Sequence, residues 1–357
     1  MADLMRQSTD FAKLANQYGN FRVALIKVKI NGQDVVTSMH LRIAELTVTC
    51  SLKAAGCAVM KIGGCYQEEQ SGFDSKVKDK FKLGTVVSIE LGYLSHAECV
   101  FKGYVEMLGV EFSEDKLLVV TLMDARRLMM TGGKKQQLLD VKNYSDAFQL
   151  VIGNYGKLCS VECDTTNDKL ERPISQTSND YEFITKELAR KGNREFFIFA
   201  EKAYFRKMNS NTSAIMKLRH GRELFELKVD YGYLDKKIKV LGYDQSDQQQ
   251  VSFEKAIKSS ISQTSVMTTP EFIIADQDVD SQDKAKNRAE FIAQFEKNRS
   301  CMGTGKTIGL PELVPGRYVE VELADSLANQ KFYISEVKHS VMDDYFTTEF
   351  EIGGLTS

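Results

Sequence analysis

GTVVSIEL at residues 84–91 and GRYVEVEL at residues 316–323 are two copies of one pattern, G-x-x-V-x-[I/V]-E-L, far apart in the same chain. Val87, Ile89, Leu91 and Tyr93 alternate with Ser88 and Glu90, the period of two that marks a half-buried strand. Alternating strands resemble one another by chance, so the flanking sequence has to decide. From Gly84 the first copy places Leu91 at +7, Phe101 at +17 and Val105 at +21; from Gly316 the second places Leu323, Tyr333 and Val337 at the same offsets. A hairpin follows in both, turning at Asp115 in one and near Asp343 in the other. The agreement favours a duplicated β module.

Around the first copy, FRVALIKVKI and the run from Leu41 to Leu52 read as strands, and VFKGYVEMLGVEF with KLLVVTLMD reads as a hairpin turning at Ser113–Asp115. Residues 20–131 thus form a first β-barrel domain without an internal helix signal, preceded by an arm or helix at 1–19. A mixed α+β domain is expected over 132–225. There Ser145 is the expected cap of a helix with Phe148, Val151, Ile152 and Tyr155 on one face and Gly156 at its end. Asn179 and Glu182 have capping-box-like spacing before a stripe of Tyr181, Ile184 and Leu188 that stops at Gly192. REFFIFAEKAYFRK then reads as a strand pair. Residues 226–357 form the second β-barrel domain, opening with LKVDYGYL and KKIKVLGYD. It is interrupted over about 245–305 by a polar segment and by a helix near 281–297 with Ala285, Ala289, Ile292 and Phe295 on one face. The expected fold class is α+β, β-rich, with two tube-like β-barrel domains and a mixed region between them.

With 357 residues, 43% apolar and 27% charged, the chain has a globular composition and length for several cores. A net charge of −2 gives no global drive toward nucleic acid or anionic membrane. Asp3, Arg6, Asp10 and Lys13 interrupt the N-terminus, and no stretch approaches the roughly 18 apolar residues of a membrane span. Synthesis in the cytoplasm without a signal peptide is expected. Seven scattered cysteines, Cys50, Cys57, Cys65, Cys99, Cys159, Cys163 and Cys301, without a C-x-x-C, read as reduced thiols.

Chemical motifs are sparse. GTGKT at 303–307 lacks the first P-loop glycine, since Ser300 stands there, and a helix precedes it where a strand is needed; a loop joining helix to strand is expected, and Lys306 is expected to bind no nucleotide. Cys159 and Cys163 are four apart, and His40, His96, His220 and His339 are isolated, so no structural zinc spacing exists. There is no G-x-S-x-G or H-E-x-x-H, and the acidic pairs Glu68/Glu69 and Asp343/Asp344 lie in polar stretches. No catalytic, metal or cofactor residue is assigned. The aromatic strands with Phe197, Phe199 and Tyr204 offer an alternative function, a non-catalytic β-barrel protein stacking single-stranded nucleic acid, against the plainer role of core residues.

Three stretches carry a resemblance to a known family: LGTVVSIELGY with VFKGYVEMLGVEFSEDKLLVVTLMDARRLM; QTSNDYEFITKELARKGNREFFIF; and GLPELVPGRYVEVEL through VKHSVMDDYFTTEFEI. Together they resemble the late control gene D and VgrG-like baseplate hub proteins of contractile-tailed phages, tailocins and contractile injection systems. The resemblance implies a structural, non-enzymatic hub: a homotrimer whose six similar modules form a ring that adapts a six-fold tail tube to a three-fold spike. Its implied partners are a tail tube or tube-initiator protein, a spike protein, and wedge and tape-measure proteins, with no membrane and no specific nucleic acid. Its implied location is the baseplate of a phage tail or contractile particle. VgrG proteins continue into an oligonucleotide-binding-like domain and a β-helical spike, whereas this sequence stops at Ser357 after its last strand, so the spike is expected to be a separate protein.

Overall fold

The glycine that opens each copy of the pattern is required by its backbone. Gly84 and Gly316 adopt φ of 83° and 82°, in the left-handed region that costs an L side chain roughly 1–2 kcal/mol. The turn aims Gly84 N at Val105 O and Gly316 N at Ile334 O, both at 2.9 Å, and the carbonyls of Thr85 and Arg317 accept in return from Val105 N and Ile334 N. In the strands that follow, Val87 and Ile89, and likewise Val319 and Val321, are buried. The pattern's glutamate takes the other face and pairs with a lysine of a neighbouring strand, Glu90 with Lys29 and Glu322 with Lys217.

The computed structural model describes residues 7–353 apart from 171, 209, 324–326, 328 and 344. Asp3, Arg6 and Asp344 therefore lie outside the described residues. In chain order the strands that matter are β1 (Ala24–Ile30), β2 (Arg42–Ser51), β3 (Cys57–Gly63), β4 (Val86–Tyr93), β5 (His96–Phe112), β6 (Lys116–Met123), β7 (Glu195–Phe199), β8 (Lys202–Arg206), β9 (Ala214–Arg219), β10 (Leu224–Tyr231), β11 (Asp235–Asp244), β12 (Gln249–Lys258), β13 (Glu271–Ala275), β14 (Cys301–Ile308), β15 (Tyr318–Glu322), β16 (Lys331–Met342) and β17 (Tyr345–Ile352). A 13-stranded sheet runs along β10-β14-β17-β16-β2-β3-β6-β5-β4-β1, with every neighbouring pair antiparallel. β15 joins it through β16, and β9 lies parallel to β15.

Five strands recur in one order and direction: β2-β3-β6-β5-β4 and β10-β14-β17-β16-β15. Two of their irregularities recur as well, while a third slip, at Val100 in β5 against β4, has no counterpart between β15 and β16. The ladder slips at Ala44 in β2 and at Phe225 in β10, and again at Glu106 in β5 and Ser335 in β16. A bulge inserts an unpaired residue and re-aims the strand; two bulges at matched places are not a product of alternation alone. The register also corrects the sequence offsets. Val105 corresponds to Ile334 rather than Val337, because the first arm is three residues longer, 21 positions from glycine to acceptor against 18. Only the +7 match, Leu91 with Leu323, pairs equivalent positions.

The β-rich character holds, but among the described residues neither module closes into a barrel of its own. β16 continues onto β2, so one sheet and one apolar core serve both, with Leu46, Val48, Met60, Ile89 and Val120 meeting Val319, Val337 and Phe350. Other differences have local causes. The first module does contain short helices, Val35–Ser38, Ser75–Lys80 and Ala125–Thr131, each started by an aspartate (Asp34, Asp74, Asp124) whose side chain accepts from the amide two residues on. Segments of that length show no 3.6-residue period. Asn143, not Ser145, caps the helix Tyr144–Gly153. Asn179 caps the next helix as expected, at Glu182 N (2.8 Å), and its Phe183–Ala189 part is π-helical. The polar segment after β11 contains strands: β12 and β13 flank β11 in a separate three-stranded sheet that packs on the helix Gln282–Arg299 around Ile238, Val240 and Ala289. At the N-terminus Asp10 caps the helix Phe11–Gln17, whose Leu14 is buried.

Candidate functional site

The joint between the two modules is the feature that the isolated halves would lack. Along it His339 lies opposite Val48, Val341 opposite Leu46 and Val337 opposite Cys50, and all six are buried. Burying an aliphatic side chain of this size is worth about 1.5–3 kcal/mol, so the joint is a core and not a hinge. His339 Nδ1 sits 2.9 Å from Thr348 Oγ1, and complete burial lowers its pKa to about 3, which keeps the imidazole neutral.

The opposite face of these strands is open and charged. Between β10, β14, β17 and β16 it sinks into a groove of about 440 Å³ lined by Lys228, Lys306 and Lys338 and by Glu226, Glu336, Glu349 and Glu351. Glu349 is shared by Lys306 (3.4 Å) and Lys338 (3.6 Å), and Glu351 is held by Lys53 (3.0 Å) from the other module. Such half-exposed pairs contribute at most about 1 kcal/mol each. Their effect is to leave the groove with mixed, mutually neutralised charge.

Strands β7 and β8 dock onto the second module through a buried cluster. Arg206 Nε donates to Glu195 (2.9 Å), Tyr333 Oη donates to the same carboxylate (2.8 Å), and Arg206 Nη2 donates to the carbonyl of Gly316. Desolvation raises the Glu195 pKa, against the pull of Arg206. The missing Cβ of Gly316 makes the approach possible, since it would lie 2.7 Å from Arg206 Nη2 and 2.9 Å from Phe197 Cζ.

The residues singled out in the sequence fall apart in space. GTGKT is not a loop; it is the middle of β14, paired on both sides, so its amides serve ladders and do not converge on a phosphate. Lys306 reaches Glu349 instead. Cys159 and Cys163 and the four histidines assemble no cluster of three or more metal-ligating side chains among the described residues. Burial raises the pKa of Cys99 and Cys159 to about 12 and of Cys163 and Cys301 to about 11, the reverse of an activated thiolate. Phe197, Phe199 and Tyr204 are buried core residues, with Phe197 stacked on Tyr204, and present no platform to a base. The joint itself carried no sequence signal, because Leu46 and Val341 show only that each strand has an apolar face.

A β-rich chain in which two five-strand modules share one sheet has the fold of phage tail proteins. The tail protein of Neisseria meningitidis MC58 superposes with a TM-score of 0.67 at 11% identity, over 92% of this chain and 96% of that one. The 43 kDa tail protein of prophage MuSo2 from Shewanella oneidensis gives 0.66 at 15% identity, over 92% and 98%. The c3393 protein of E. coli, a component of the type VI secretion system, gives 0.55 at 10% identity, over 93% and 77%. In sequence, the chain belongs to the family described as the Alg8 N-terminal domain, whose model matches residues 20–343. No curated protein matches it.

Proposed function

We propose that this chain is a structural hub subunit of a contractile phage tail, tailocin or injection system, akin to late control gene D and VgrG-like hubs and without catalytic activity. In this reading three copies form a ring of six similar modules, residues 20–131 and 226–357 of each, with 132–225 as the mixed region and 1–19 as an arm or helix. The ring adapts a six-fold tail tube to a three-fold spike. One observation carries it: the duplicated five-strand order, with two bulges at matched places and both glycine turns repeated, joined edge to edge inside one chain. Two near-equivalent units per subunit are what a three-fold ring needs to face a six-fold tube, and the fold shared with tail proteins supports the setting. Imaging the assembled particle along its axis tests it: six similar densities with true three-fold symmetry at the tube–spike junction are expected. Six separate chains in a six-fold ring, or density for this chain in the sheath or wedge, would refute it.

A further inference from the structure

The repeat predicts which surfaces join one copy to the next. Inside the chain, the C-terminal half of β16 pairs with β2, and by the register these two segments correspond to the C-terminal half of β5 and to β10. Those counterparts have no such neighbour. Beyond Val105, β5 pairs only with β6, and past Leu224, which bridges to His220, β10 pairs only with β14, so among the described residues each keeps one side of its ladder open there. In that part of β5 Val110 and Phe112, the latter with its ring edge on Tyr66 and Phe73, are 56% and 60% exposed, where their counterparts His339 and Val341 are 0% and 4% exposed. Leu227 and Val229 on β10 are half-buried where Leu46 and Val48 are fully buried. Exposed apolar residues on an unprotected edge invite another strand, and native folds seldom leave such an edge uncovered.

Resting on the hub reading above, the geometry points to a second copy of this chain as the occupant, its β10 adding antiparallel to β5 in the register of the internal joint. Phe112 then lies opposite Leu227 and Val110 opposite Val229 on the core side, and Glu111 lies opposite Lys228 on the grooved side. The charges are complementary. Lys228 is exposed and stands 3.5 Å from Asp230, and Glu111 keeps a half-exposed carboxylate beside Lys61 (3.2 Å). The two edges differ in sequence, so the contact is head-to-tail: each copy offers β5 to one neighbour and β10 to the other, which builds a ring and not a two-fold dimer. The same pairing extends the grooved face of the sheet from copy to copy.

Cysteine pairing in the full chain tests this. Val110→Cys combined with Val229→Cys, oxidised at the highest soluble concentration, is expected to give a covalent ladder ending at three copies, with a disulfide-linked peptide joining positions 110 and 229 found by mass spectrometry. Neither single variant gives that peptide. Glu111→Lys alone should weaken association about tenfold in sedimentation, by turning an attractive cross-strand pair repulsive, and adding Lys228→Glu should restore it. Three-copy association with cross-links at other positions would overturn the edge assignment and leave the hub reading intact. A ladder linked through positions 110 and 229 but closing at six copies would keep the edges and refute the three-fold hub. A chain that stays monomeric and uncross-linked would overturn the inference, while the particle image still judges the hub.

Discussion

Alanine at the two pattern glycines should give two different costs. Gly84 and Gly316 share a φ of about 80°, so Gly84→Ala and Gly316→Ala both carry the left-handed penalty of roughly 1–2 kcal/mol. At Gly84 nothing lies within 4 Å of the new Cβ, and the penalty ends there. At Gly316 the methyl meets Arg206 Nη2 at 2.7 Å and Phe197 Cζ at 2.9 Å. Relieving that clash withdraws Arg206 from the Gly316 carbonyl and disturbs its pair with Glu195, in a site where Arg206 is 5% exposed. A buried polar group stripped of its partner costs a further ~1–3 kcal/mol. Gly316→Ala should therefore destabilise the chain by about 2–5 kcal/mol and Gly84→Ala by about 1–2 kcal/mol. Urea unfolding followed by far-ultraviolet circular dichroism, with slopes compared to confirm that only stability changed, measures both. Equal costs, or a larger one at Gly84, would refute the claim that Gly316 is set by the Arg206 approach and not by its turn alone.

His339 should make the joint acid-sensitive. Below about pH 6.5 the unfolded imidazole binds a proton that the folded site refuses until about pH 3, so stability present at neutral pH falls by roughly 1.4 kcal/mol per pH unit in between. Against His339→Gln, the wild-type stability should therefore drop by an extra ~2–3 kcal/mol between pH 6.5 and 4.5, and a difference that stays constant across that range would count against a neutral, desolvated imidazole. Lys306 lies in a strand ladder, so Mg–ATP should leave the melting temperature of wild type and of Lys306→Ala alike unmoved; a saturable stabilisation lost in the variant would contradict this.

Much of this protein could be read from local sequence. The glycine turns, the alternation of Val87 and Ile89 or Val319 and Val321, the helix starting at Asn179 and the helix near 281–297 depend on neighbours within a few residues, which side-chain period and capping chemistry report directly. Even the duplication was visible, because equivalent folds ask for the same residues at the same turns. The helices begun by Asp34, Asp74 and Asp124 leave no such mark, because one or two turns are too short to show a period.

What remained hidden was every relation between distant strands. Period-two alternation says that Leu46 and Val341 each have an apolar face, but it is blind to which strand lies beside which, and a slip of one residue would reverse the faces. GTGKT became a strand because β10 and β17 were there to take its amides on both sides. Val337 resembled the counterpart of Val105 until the ladder, through three residues of difference in arm length, matched Val105 with Ile334 instead. Hydrogen-bond pairing and burial are settled only when the whole sheet assembles, so the joint at His339 and Val48, and the open edges it exposes by comparison, were decided by tertiary structure alone.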